Sequence, residues 1–254
     1  MIALLKEKYA YFLFLIFFSL LSSCLSYRPV IKYDSAIYEI KPSLADSAMN
    51  AHIAPYKSEM DQEMNVILAV SQQPMERGTP AGLLGNFVTD VILKKSKEYC
   101  ADSCNIDFCV LNNGGLRNSL PKGNITRGNV FELMPFENTV VIVTLNGSEI
   151  KELADFIANK GGVPVSGLRM KIKNGMASEV TIGERALDLN RRYTVSTSDY
   201  LANGGDNMTF FSKTIRTIST GKKVRDIIIE HLSEENQKGR TIVVKEDGRI
   251  YEDK

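Results

Sequence analysis

Six residues, Ile106-Asp107-Phe108-Cys109-Val110-Leu111, run straight into Asn112-Asn113-Gly114-Gly115-Leu116-Arg117. The first six read as a buried strand, a short apolar run bounded by turn residues. The glycine pair stops the strand and fixes what can follow it. Without a Cβ, Gly114 and Gly115 can take a positive φ or let backbone amides come close to a ligand. An arginine just beyond such a loop can grip a phosphate through two parallel hydrogen bonds. Taken alone, the same residues read as a plain turn with a surface arginine.

The elements around this strand define the fold class. Residues 82–99 are the clearest amphipathic helix. Leu83, Leu84, Phe87, Val88, Val91 and Ile92 form one apolar stripe, and Lys94, Lys95 and Lys97 are expected to face water. Asn65–Val70 reads as a short strand. Thr126 can cap a helix running to Leu133. Thr139–Leu145 is a β-branched strand, and Asn146-Gly147 turns it into a helix over Ser148–Asn159, ended by Gly161-Gly162. Leu168–Lys173 and Ser178–Ile182 flank Asn174-Gly175, a hairpin signal. A strand over Tyr193–Thr197, a helix over Lys222–Ser233 and a strand over Thr241–Val244 complete the series. Strands and helices mix without a strict βαβ rhythm, which indicates an α+β fold, a mixed sheet with packed helices.

Before this folded region lie segments of another kind. Lys6 and Lys8 precede an apolar run from Tyr9 to Leu21, too short to cross a bilayer but suited to a secretory signal. It ends in Leu21-Ser22-Ser23-Cys24, which resembles the lipobox of bacterial lipoproteins; the alternative is an ordinary signal cut after Ser23. The expected organisation is a lipoprotein signal peptide over residues 1–23, a tether over 24–45, a linker helix over 46–63 and one domain over 64–254. Met49, Ile53, Tyr56 and Met60 give the linker helical spacing despite Pro55. Lipidation at Cys24 would anchor the chain by lipid to a membrane of the bacterial cell envelope, outside the cytoplasm. In such an oxidising compartment Cys100 and Cys104 could form a local disulfide, leaving Cys109 as a small buried hydrophobe. Lys+Arg 31 against Asp+Glu 30 gives no general affinity for nucleic acid.

Two further motifs follow the first. Met134-Pro135-Phe136-Glu137-Asn138-Thr139 places an aromatic ring after a backbone-fixing proline. On spacing alone Phe136 is a core aromatic. Ser198-Asp199-Tyr200-Leu201-Ala202-Asn203-Gly204-Gly205-Asp206 follows a strand in the same way. The three motifs, in this order, resemble the C-terminal substrate-binding domain of the 5′-nucleotidase family, over roughly residues 64 to 245. The family commonly reads Asn-Gly-Gly-Gly-Ile-Arg in the first motif and Asn-Asp-Phe-Leu-Ala-x-Gly-Gly-Asp-Gly in the third. The resemblance implies that Asn112 contacts the nucleoside and Arg117 the ligand, beside Gly114 and Gly115. It implies that Phe136 and Tyr200 clamp the base, and that Asp206, after Gly204 and Gly205, accepts from the sugar hydroxyls. Stacking suits such a site because every base has a π-face. Tyr200 stands where the family has Phe, keeping the ring and adding a hydroxyl; removing that hydroxyl is expected to be nearly neutral. Glu137 and Asn207 stand where relatives have Gly, and Arg77 is the nearest candidate for a further ligand-binding arginine.

In the family a separate N-terminal domain holds two metals and does the chemistry. Two-metal hydrolysis needs several His and Asp ligands to hold ions about 4 Å apart. The family's metal-binding segments do not occur here, and His52 and His231 are the only histidines. No catalytic or metal-ligating residue and no cofactor is therefore expected in this chain, with divalent metals expected in a partner phosphatase. The expected function is the nucleotide- or nucleoside-binding specificity half of a split 5′-nucleotidase, acting in nucleotide catabolism with a separately encoded metallophosphatase. The alternative is a stand-alone nucleoside-binding protein of the cell envelope that does not hydrolyse its ligand.

Overall fold

The computed structural model describes Tyr38, residues 46–100 and residues 104–253. The signal peptide, Cys24 and all of the tether but Tyr38 lie outside the described residues.

The first element, α1 (Ser47–Met64), runs through Pro55 and buries none of its residues. Next come β1 (Ile67–Ser71), α2 (Leu83–Cys100), β2 (Phe108–Val110), β3 (Gly123–Thr126) and α3 (Arg127–Leu133). They are followed by β4 (Thr139–Asn146), α4 (Gly147–Asn159), β5 (Val165–Ser166), β6 (Leu168–Lys173), β7 (Met176–Ile182) and β8 (Arg185–Ala186). Then come β9 (Arg192–Ser198), α5 (Asp199–Ala202), β10 (Arg216–Lys223), α6 (Val224–Gln237) and β11 (Ile250–Glu252).

A five-stranded sheet in the order β10-β4-β9-β2-β5 forms the centre. Its β2–β9 pair is parallel and its other pairs are antiparallel, so the sheet is mixed, as an α+β chain requires. Alternation along each strand gives the sheet two faces. Val140, Ile142 and Cys109 pack with Leu84, Val88, Val91, Ile92 of α2 and Ile227, Ile228 of α6. Val141, Val143, Leu145, Phe108 and Val110 pack with Ile150, Leu153 and Ile157 of α4 and with Leu168, Met170 and Ile182 of the four-stranded sheet β11-β6-β7-β8. The helix ends follow local rules. Thr126 caps α3 in a reciprocal capping box with Asn129, and Asn146 caps α4 with Glu149.

Lys95 departs from the expectation that all three lysines of α2 face water. Lys94 and Lys97 are exposed, but Lys95 is 2% exposed. Its Nζ meets Glu98 at 3.0 Å, Glu230 at 2.9 Å and Glu234 at 2.5 Å. Burial opposes the charge, yet the three carboxylates outweigh it and the Lys95 pKa is raised. The ends of the chain differ too. Thr241–Val244 forms no strand; Ile242 makes one isolated bridge to Ser71. The terminal strand is β11, parallel to β6, and the polar edge strand β10 pairs with β4. Cys100 and Cys104 form a disulfide. Cys109 is free and fully buried, and burial pushes its thiol up to about 12, so it is unreactive.

Candidate functional site

Strand directions bring the three motifs together. β2 runs parallel to β9, so the loop after Val110 and the loop after Ser198 leave the same end of the sheet. β4 runs antiparallel to β9 with Val140 opposite Ser198, so the segment entering β4, which carries Phe136, reaches that end as well. The Thr139 hydroxyl donates to Asp199 at 2.8 Å and fixes the second motif to the third. The Arg117 amide donates to the Leu133 carbonyl at 2.8 Å and fixes the first to the end of α3.

At this end lies a cavity of about 310 Å³, lined by Asn112, Gly114, Gly115, Arg117, Phe136, Asn138, Tyr200 and Asp206. All eight come from the three motifs, and Asn138 adds a polar wall beside Phe136. Gly204 and Gly205 do not line the cavity but shape it. Gly204 sits at φ 86°, and a Cβ on Gly205 would stand 2.5 Å from the Tyr200 ring. Phe136 is 42% exposed and Tyr200 45%, so neither is a core residue. Asn207, where the family has Gly, takes φ 65°, a left-handed conformation that Asn tolerates.

The polar groups of the cavity hold one another in place. Asp206 receives Asn112 Nδ2 on Oδ2 at 2.7 Å and the Tyr200 hydroxyl on Oδ1 at 2.8 Å. That bond to Asp206 raises the Tyr200 pKa. Arg117 donates to the Gly114 carbonyl at 3.3 Å and is otherwise turned to solvent at the cavity wall. A second cavity of about 300 Å³ adjoins the first across the Asn112–Asp206 bond, with Lys160 and Phe156 on its far side.

Two neighbouring residues lie outside this cavity. Glu137 does not line it. It pairs with Lys223 and Arg225, and these two cations hold its carboxyl down at about 2. Arg77 lines a different cavity, of about 830 Å³, between the loop before α2 and the chain entering β11. Sequence reasoning missed Asn138 at the cavity wall and, behind it, Arg225. Its guanidinium is almost fully buried, lies 4.2 Å from the Phe131 ring centroid and donates to the Met134 carbonyl, bracing the loop that presents Phe136. Among the described residues no group of three or more His, Cys, Asp or Glu could hold a metal ion. What the cavity wall offers a ligand is two aromatic rings, one carboxylate, one guanidinium and the amides of two asparagines.

The model of the 5′-nucleotidase C-terminal domain matches residues 64–213. A 5′-nucleotidase of Vibrio parahaemolyticus is 26% identical over 197 residues, 74% of this chain and 34% of that protein. A trifunctional nucleotide phosphoesterase of Bacillus subtilis is 30% identical over 190 residues, 66% of this chain and 12% of that protein. The structure of a 5′-nucleotidase precursor from Thermus thermophilus superposes with a TM-score of 0.65 at 27% identity, covering 81% of this chain and 42% of that one. The chain therefore spans less than half the length of these relatives.

Proposed function

The chain belongs to the family of 5′-nucleotidase C-terminal domains, and from that premise we propose that it is the nucleotide- or nucleoside-binding specificity half of a split 5′-nucleotidase. The observation that carries this reading is the convergence of Asn112, Arg117, Phe136, Tyr200 and Asp206 on one cavity at one end of the central sheet. Two rings at the cavity mouth offer faces to a base. Asp206, an acceptor with two oxygens, suits neighbouring sugar hydroxyls. Arg117, at the wall, suits a phosphate. Base and sugar contacts then hold the phosphate ester where a separate metallophosphatase, which carries the divalent metals, can attack it. Such positioning converts binding energy into rate. Lipid attachment at Cys24 would hold this half at the cell envelope.

The test is hydrolysis of adenosine monophosphate by the purified chain, with and without divalent metal, and again across a titration with the separately encoded metallophosphatase. No turnover by the chain alone and a gain on mixing is the expected pair of results. Metal-dependent turnover that survives repurification of the chain, or no gain at any ratio, would overturn the proposal; binding without a gain would identify a stand-alone binder.

A further inference from the structure

Tyr200 does more at this cavity than offer a ring. Its hydroxyl donates to Asp206 Oδ1 at 2.8 Å and accepts from the Asp206 backbone amide at 3.3 Å. One hydroxyl therefore holds both the side chain and the main chain of the same residue. Asp206 sits at φ 53°, a left-handed conformation that Asp adopts as a single residue, and the two bonds tie it to the Tyr200 hydroxyl there. The ring is held in turn. It lies so close to Gly205 that a Cβ there would stand 2.5 Å from Tyr200 Cε1 and 2.6 Å from Cζ. Asn112 takes the other carboxylate oxygen at 2.7 Å.

The consequence follows from counting lone pairs. A carboxylate offers about four acceptor positions on two oxygens. Tyr200 and Asn112 each use one, on different oxygens, so one position remains on each. The carboxylate cannot rotate without breaking both bonds. Two acceptor positions on adjacent, fixed oxygens match two hydroxyls on adjacent carbons. A single hydroxyl would leave the second position unused.

We infer that the Tyr200 hydroxyl is a positioning group that fixes the Asp206 carboxylate to select a vicinal diol, and so ribosides over 2′-deoxyribosides. This rests on the nucleoside reading of the cavity and deepens it. It also reverses the sequence expectation that losing this hydroxyl is neutral. The Tyr200→Phe substitution keeps the ring but releases one carboxylate oxygen and the Asp206 amide.

The experiment is calorimetric titration of the full chain and of Tyr200→Phe with adenosine, 2′-deoxyadenosine and adenine, with thermal melting as the folding control. The substitution removes one hydroxyl from a half-exposed side chain that is not part of the core. Wild type should prefer adenosine over 2′-deoxyadenosine by roughly tenfold or more, the scale of a hydrogen bond to a charged group. In Tyr200→Phe that preference should fall to about threefold or less while adenine binding stays within about twofold, since the ring remains. An unchanged preference, or an equal loss for all three ligands, overturns the inference and leaves the nucleoside reading standing. Failure of wild type to bind any of the three overturns both.

Discussion

Replacing Lys95 with Met keeps a side chain of similar length and removes only the ammonium group. Breaking one partner out of a fully buried ion pair costs about 3–5 kcal/mol. Here the three carboxylates are 34–47% exposed, so water can take over much of what the lysine supplies. The Tyr99 hydroxyl also stays on Glu230 at 3.0 Å. Discounting for that exposure leaves a loss of about 1–3 kcal/mol, or a fall of about 2–12 °C in melting temperature for a chain of this size. The pH dependence follows from Glu230. Its bond to Lys95 is the main reason its pKa lies below the usual 4.5. A depressed folded pKa contributes stability above the unfolded value and loses it as pH falls through the folded one. The wild-type advantage over Lys95→Met should therefore be full at pH 7 and shrink below about 4.5, the usual glutamate value. Urea denaturation of both proteins at pH 7 and at low pH measures it. Equal stability at pH 7, or a gap that does not narrow in acid, would refute the argument.

Arg249 is another buried cation; it grips Asp90 through two bonds, Asp247, and the Val165 carbonyl at 2.8 Å. Arg249→Met should cost about 1–3 kcal/mol in urea denaturation, because Asp90 and Asp247, 46% and 35% exposed, lose their cation while the Val165 carbonyl keeps the Thr89 hydroxyl. Reducing the Cys100–Cys104 disulfide should cost only about 2 kcal/mol, because it closes a loop with a sequence separation of 4; denaturation with and without reductant reads the difference. The Glu137 carboxyl, held at about 2 by Lys223 and Arg225, keeps its tie to both cations above the usual 4.5 and loses it as pH falls toward 2. The protection of the amides at residues 136–139, exchange measured against the intrinsic rate at each pH, should fall across that window in wild type but not in Glu137→Gln.

The cavity residues were legible because each motif carries local chemistry: a glycine pair at a strand end, an aromatic after proline, a Gly-Gly-Asp turn. Local periodicity likewise showed α2, β4 and α4, whose apolar residues pack into the core on either face of the central sheet. What escaped depends on residues far apart in the chain. Lys95 looks like one of three solvent-facing lysines because its partners Glu230 and Glu234 lie on α6. Arg225 reads as an ordinary helix charge until the turn at Glu137 folds against it. β10 is Arg216-Thr-Ile-Ser-Thr-Gly-Lys-Lys, too polar to announce a strand, and it pairs only as an edge on β4. Thr241–Val244 has β-branched residues but finds no continuous partner, whereas Ile250-Tyr251-Glu252 finds one in β6. The Tyr200–Asp206 bond escaped because the left-handed turn that brings hydroxyl and carboxylate together is set by the folded loop.

The most direct test of the account is whether the cavity between Phe136 and Tyr200 holds a nucleoside. Calorimetric titration of adenosine into the full chain and into Phe136→Ala answers it. The account predicts saturable binding with one site per chain, weakened in Phe136→Ala by about 1–3 kcal/mol, the scale of a base stacked on an aromatic ring. No binding to the wild-type chain, or a folded Phe136→Ala that binds as tightly as wild type, would contradict it.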